Sequence, residues 1–182
     1  MQLAVAVGQM AQFRTTRPKF SVEFLFRHLP DFLSMAPQSR QTIPLGEQLH
    51  WWRTHLKCSR RQLAERASIS MSTIQHLEKN NGTLTYYQTA LRALGLKLHA
   101  RGRGNRKLGT ALTYERREQT IARRELARHL EVSRNTLAAL ESNKSVRIAT
   151  LERYANAIGV GLVVQPLPPD QQPRSLRPKR GR

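Results

Sequence analysis

Apolar residues recur at helical spacing through the middle of the chain. Leu45, Leu49, Trp52 and Leu56 mark the inward stripe of an opening helix. Ser59 stands where a helix cap is needed, and Arg60–Ala67 follows as a second helix that turns Leu63 and Ala64 inward. Ser68-Ile69-Ser70 reads as a turn, with Ser70 capping a third helix from Met71 to about Lys79. Asn80-Asn81-Gly82, residues that tolerate left-handed backbone, ends that helix.

The same pattern returns 63 residues later. Leu45 to Asn80 aligns with Leu108 to Asn143 at 13 identical positions of 36, which makes the chain a duplication. Leu49, Leu63, Ala64 and Leu77 pair with Leu112, Leu126, Ala127 and Leu140, while Ile69 and Ile74 pair with Val132 and Leu137. These are core positions. The polar identities are Arg53/Arg116, Arg60/Arg123, Arg61/Arg124, Ser70/Ser133, Thr73/Thr136 and Glu78/Glu141, and they point to a role common to both copies. In the second copy the second helix is expected to begin at Thr120 or Ala122. Glu131-Val132-Ser133 is the turn, and the third helix runs from Arg134 to Ser142. After a one-residue insertion, Leu91, Leu94, Gly95, Leu96 and Leu98 match Ala155, Ile158, Gly159, Val160 and Leu162. Each copy therefore reads as four or five short helices.

Charge narrows the partner. Thirty-one Lys and Arg against 12 Asp and Glu leave a formal charge of +19 and a sequence pI near 11.6, which favours a polyanion. Membrane is disfavoured, because no stretch approaches the roughly 20 apolar residues of a spanning helix. A chain of 182 residues holds two small cores rather than one large one plus long basic segments. Cys58, the single cysteine, aligns with Ile121 and reads as a buried small hydrophobe, and the cytoplasm is the expected compartment. Leu3-Ala4-Val5-Ala6-Val7 lacks a preceding basic residue and ends too early for a signal peptide, so secretion is not expected. Phe20, Phe24, Leu25, Phe26, Leu29, Phe32 and Leu33 suggest a short amphipathic helix broken at Pro30, or the first 34 residues are an upstream extension and translation begins at Met35. The Pro-rich basic stretch past Pro166 reads as a mobile arm.

The motif Arg-Gln-Leu-Ala-(x)4-Ile-Ser-(x)2-Thr-Ile-(x)2-Leu-Glu of the first copy, and Arg-Glu-Leu-Ala-(x)4-Val-Ser-(x)2-Thr-Leu-(x)2-Leu-Glu of the second, resemble the Cro and phage-repressor (Xre) helix-turn-helix family over about 45–98 and 108–165. The turn departs from the family, which often has Gly where this chain has Ser68 and Glu131. The resemblance implies an all-α fold of two tandem helix-turn-helix domains, with a small two-stranded sheet between them as an option. It divides the chain into a partly disordered extension (1–40), a first domain (41–98), a basic linker (99–107), a second domain (108–166) and a disordered basic tail (167–182). It also implies that Arg53–Glu78 and Arg116–Glu141 are partly buried structural ion pairs rather than catalytic acids.

Function follows from what the third helix presents at its start, since such helices enter the major groove N-terminus first. The first copy offers Met71, Ser72, Gln75 and His76. The second offers Arg134 and Asn135, then Ala138 and Ala139. Arg can hold guanine and Asn adenine with two hydrogen bonds, which makes the second copy the sharper reader, and Ala138 can touch a thymine methyl. The plainer alternative has Arg134 contacting phosphate only. Arg60 and Arg123 are expected to position the protein on phosphate, and the Arg-Gly-Arg linker is either a solvated spacer or a minor-groove contact.

Double-stranded DNA is thus the expected partner of a transcriptional regulator, a repressor, acting as a monomeric pseudo-dimer or as a homodimer. The runs Leu96–His99 and Val160–Val164 resemble the strand through which HipB-like antitoxins dimerise. They are expected to pair within the chain, and they carry the alternative of an antitoxin with a toxin partner. Non-specific coating of DNA is a third reading. No metal-ligand spacing, phosphate cradle or nucleophile arrangement appears, so neither cofactor, metal nor enzyme activity is expected.

Overall fold

The computed structural model describes residues 43–102 and 106–173, all within one compact unit, Pro37–Arg177. The readings of the N-terminal extension, of the centre of the linker and of the tail beyond 173 lie outside the described residues. The first half consists of α1 (Leu45–His55), α2 (Arg60–Ala67), α3 (Met71–Glu78), α4 (Leu84–Ala93) and β1 (Leu96–Ala100). The second repeats that order with α5 (Leu108–Glu118), α6 (Arg123–His129), α7 (Arg134–Glu141), α8 (Ile148–Ala157) and β2 (Leu162–Pro166). The fold is mostly helical, with one two-stranded antiparallel sheet among the described residues.

Local chemistry sets these boundaries. Ser59 and Gln62 form a reciprocal capping box at α2: the Gln62 amide donates to Ser59 Oγ at 3.1 Å, and the Ser59 amide donates to Gln62 Oε1 at 2.9 Å. Ser70 Oγ and Ser133 Oγ accept from the Thr73 and Thr136 amides at 3.1 and 3.0 Å, satisfying otherwise unpaired donors at the starts of α3 and α7. Lys57, Ser68 and Asn80 take left-handed backbone, with φ of 49°, 53° and 61°. Thr120, Glu131 and Asn143, the residues 63 positions on, do the same at 56°, 52° and 58°. A left-handed non-glycine residue costs about 1–2 kcal/mol, and the chain bears that cost at the same three turns in both halves. Thr120 therefore lies in the loop, and α6 starts after Ala122, which supplies no side-chain cap. Leu56 ends α1 half-buried and does not complete the stripe of Leu45, Leu49 and Trp52, which are buried.

Within each half the first helix lies directly on the end of the third. A Cβ on Gly46 would stand 2.5 Å from Glu78 O and 2.7 Å from Asn80 N. On Gly109 it would stand 2.5 Å from Leu140 O and 2.6 Å from Glu141 O. Asn80 Oδ1 and Asn143 Oδ1 accept from the amides of those glycines at 3.3 and 2.8 Å. The helix backbones touch because both sequences have glycine here.

The contacts between halves obey a local two-fold. Past the insertion, equivalent residues are 64 apart, so His99 corresponds to Val163 and Thr83 to Arg147. Each of these pairs faces itself: His99 pairs with Val163 in the sheet, and Thr83 forms an antiparallel bridge with Arg147. On either side the contacts exchange, as Leu98–Val164 and Ala100–Leu162 do in the sheet. The same holds for Leu84 N to Val146 O at 2.7 Å and Ile148 N to Gly82 O at 3.0 Å. Leu96, Leu98, Ala100, Leu162 and Val164 turn one face of the ribbon into the core.

Two expected boundaries move. Strand β1 includes His99, which the strand run had claimed and the linker range 99–107 had also claimed, and it continues one residue further to Ala100, because pairing with Leu162 outweighs local polarity. The tail is ordered as far as residue 173: Leu167 N donates to Gly95 O at 2.7 Å, Pro169–Gln171 makes a 3-10 turn, and Gln172 is buried. Proline richness there reflects a packed extension of β2.

Gly109→Ala is expected to destabilise the protein by about 1–3 kcal/mol, since its methyl would meet backbone oxygens that cannot rotate away. Thermal unfolding of the variant checks this, and an unchanged melting temperature would contradict the close approach of α5 to α7.

Candidate DNA-binding site

A buried carboxylate organises each half. Arg53 Nε donates to Glu78 Oε1 at 2.5 Å, and Arg60 Nε donates to Glu78 Oε2 at 2.7 Å. In the second half Arg116 Nε reaches Glu141 Oε1 at 2.8 Å, and Arg123 Nη2 reaches Glu141 Oε2 at 2.6 Å. Arg53 and Arg116 are buried, and their Nη1 groups donate to Cys58 O at 2.9 Å and Ile121 O at 2.7 Å. One arginine thus ties the first helix, the loop after it and the third helix together. The second arginine, with its side chain 45% exposed in Arg60 and 42% in Arg123, joins the start of the second helix to the same carboxylate. Sequence reasoning assigned Arg60 and Arg123 to phosphate alone; in the fold their guanidinium groups are also held by Glu78 and Glu141.

The two halves differ around this shared frame. Tyr154 Oη donates to Glu141 Oε1 at 2.9 Å. In the first half Tyr87 Oη donates instead to Leu45 O at 2.7 Å, and His50 Nδ1 stands 3.4 Å from Glu78 Oε2. Burial pushes both glutamate carboxyls up, but the hydrogen bonds and charges of the arginines outweigh it and hold Glu78 and Glu141 below the ordinary value. Burial, then the hydrogen bond to Glu141, raises the Tyr154 phenol. Burial also raises the Cys58 thiol, against the pull of Arg66 and Arg53.

This frame fixes which side chains α3 and α7 offer to solvent. Met71, Ser72, Gln75 and His76 are exposed along one side of α3, with Met71 50% exposed. Arg134 and Asn135 are exposed at the start of α7, and Ala138 and Ala139 follow half-buried. Ile74, Leu77, Leu137 and Leu140 on the opposite sides are buried, so the polar positions face outward by default. Glu47, His50, Arg60, Gln75, Glu78 and Lys79 line a surface cavity beside α3. Glu47 and Lys79 differ from their second-half counterparts, Thr110 and Ser142, and comparison of the copies did not single them out.

Sequence reasoning also missed Gly46 and Gly109, although they are identical between copies, and it read Asn80 only as a helix end; that Asn80 and its identical counterpart Asn143 accept from those glycine amides was not seen. Gln48 and Glu152 carry no such identity, being Ala111 and Gln88 in the other half. Gln48 is buried; its Nε2 donates to Ile43 O at 2.8 Å, and its Oε1 accepts from Val164 N at 3.3 Å.

A helix, a left-handed turn and a serine-capped second helix with an exposed polar side constitute a helix-turn-helix. A helix-turn-helix family model, of the Cro and phage-repressor type, matches residues 112–165, and it supports a DNA-binding transcription regulator in general. No curated protein and no solved structure matches the chain. Among the described residues no helix is long and apolar enough to cross a membrane, and no cluster of His, Cys, Asp and Glu could hold a metal ion.

Because Glu78 and Glu141 bind protons more weakly folded than unfolded, their contribution to stability is complete above the ordinary Glu value of about 4.3. It is lost as pH falls through their lowered folded values. Thermal melts from about pH 7 to about pH 3 are expected to show this acid loss, with a shallower slope in Glu141→Gln. Glu141→Ala leaves Arg116 buried without a counter-charge and is expected to cost about 3–5 kcal/mol at neutral pH; a loss under about 1 kcal/mol in chemical denaturation would place the pair at the surface energetically.

Proposed function

We propose that the chain is a sequence-specific repressor that binds double-stranded DNA as a single-chain pseudo-dimer of two helix-turn-helix domains. The observation that carries this is the self-facing of His99–Val163 and Thr83–Arg147: a two-fold normally made between two repressor subunits is made here between halves of one chain. Two-fold repressors read pseudo-palindromes with helices about one DNA turn apart. With unlike third helices, the two half-sites differ. Arg134 and Asn135 read base edges in one, and Ala138 lies against a thymine methyl. Met71, Ser72, Gln75 and His76 read the other more loosely. Arg60 and Arg123, each anchored by its glutamate, present their remaining donors to phosphate and position both heads.

Repression needs only occupancy of the operator, and the formal charge of +19 supplies the non-specific attraction that precedes it. The alternative is an antitoxin that binds a toxin and represses its own operon; the segments proposed to hold the toxin, the Phe-rich N-terminal stretch and the basic tail past 173, lie outside the described residues.

Selection from a random duplex pool, followed by salt titration, tests the proposal. One protein chain per enriched site with two unlike halves is the expected result. Arg134→Ala should weaken that site by about 1–3 kcal/mol and relax one base pair, while leaving scrambled DNA nearly unaffected. A symmetric site occupied by two chains, or no enrichment at all, overturns the pseudo-dimer.

A further inference from the structure

Besides Gln48, a carboxylate breaks the two-fold. Glu152 on α8, in the second half, accepts hydrogen bonds from the Leu45 amide and from the Asn80 side-chain amide, both in the first half. Asn80 Oδ1 in turn accepts from the Gly46 amide, so the bonds close into a ring. The ring joins the start of α1, the left-handed residue just past α3, and the opposite half. Helix α1 has Pro44 at its N-cap and no side-chain cap of its own. Glu152 satisfies an orphan donor there and places negative charge at the positive end of the helix. Tyr87, buried beneath, fixes the Leu45 carbonyl.

The equivalent position in the other half is Gln88. Asn143 keeps its bond to Gly109, but among the described residues no hydrogen bond links Gln88 to Leu108 or Asn143. Beyond the symmetric backbone bonds at Leu84–Val146 and Gly82–Ile148, the residue just past one third helix is therefore held by its own half alone. The other is pinned, through Asn80, to the half that carries its neighbour.

Resting on the two-headed reading above, we propose that Glu152 is a positioning residue for DNA recognition. It holds α3 in a fixed relation to the second half and so sets the half-site spacing that the protein accepts. Adding one base pair between half-sites moves them by about 3.4 Å and turns them by about 35°. A pair of heads held rigidly meets only one such arrangement, while a loosened pair tolerates several.

The test uses the full chain and the duplex it selects, alongside versions with one base pair inserted or removed at the centre and a duplex carrying one half-site alone. The unaltered protein is expected to bind the respaced duplexes at least about tenfold more weakly. Glu152→Ala should shrink that penalty to under about threefold while binding to the single half-site stays unchanged. Asn80→Gly keeps the left-handed backbone but removes the amide; it should give the same loss of spacing preference, and adding Glu152→Ala to it should change nothing more. If Glu152→Ala does not fold, Asn80→Gly decides. A spacing penalty retained in a folded variant overturns the positioning role and leaves the two-headed reading standing. A selected site with a single half overturns both.

Discussion

A carboxylate with two arginines on it governs each half of this protein. Removing Glu78 or Glu141 from water is costly, and the cost is offset only because one arginine is buried with it and a second closes over the remaining oxygen. The buried arginine also holds the carbonyl of the loop after the first helix. Three helices are thereby fixed at one point, directly behind the residues that face solvent on the third helix. The glycine contact on the same helix end adds a steric limit to the electrostatic one. Between them they leave the third helix little freedom.

The second half repeats this order of elements, and backbone pairing joins the two halves. Backbone pairing across the two-fold is nearly indifferent to side chains, so it has accommodated divergence of the copies: His99 faces Val163 and Thr83 faces Arg147. Divergence is what one chain permits and a homodimer does not. Each half carries its own outward residues, and the junction carries one-sided contacts such as those of Gln48 and Glu152.

The distribution of charge fits this division. Arginines that face inward, Arg53 and Arg116, meet a carboxylate, whereas Arg134, Arg124 and Arg147 are exposed. Met71 beside Ser72 in the first half, against Arg134 beside Asn135 in the second, gives the two third helices different polarity at their starts.

Helices, their caps and the duplication were legible in the sequence, because these depend on residues within one turn of each other or on direct comparison of the copies. Ser59, Ser70 and Ser133 announce helix starts, and apolar spacing at Leu45, Leu49 and Trp52 announces the buried side. The family pattern further indicated Arg53 with Glu78 and Arg116 with Glu141. Interactions between residues distant in the chain and not duplicated became visible only in the assembled fold. Ala100 looks like linker until it meets Leu162, and Leu167 looks like tail until its amide finds Gly95. Glu152 reads as an ordinary surface acid of a helix; its role depends on the amide of Leu45, far away in the chain. Local preference is written in neighbouring residues, whereas a hydrogen bond across a two-fold exists only once both halves have folded and docked.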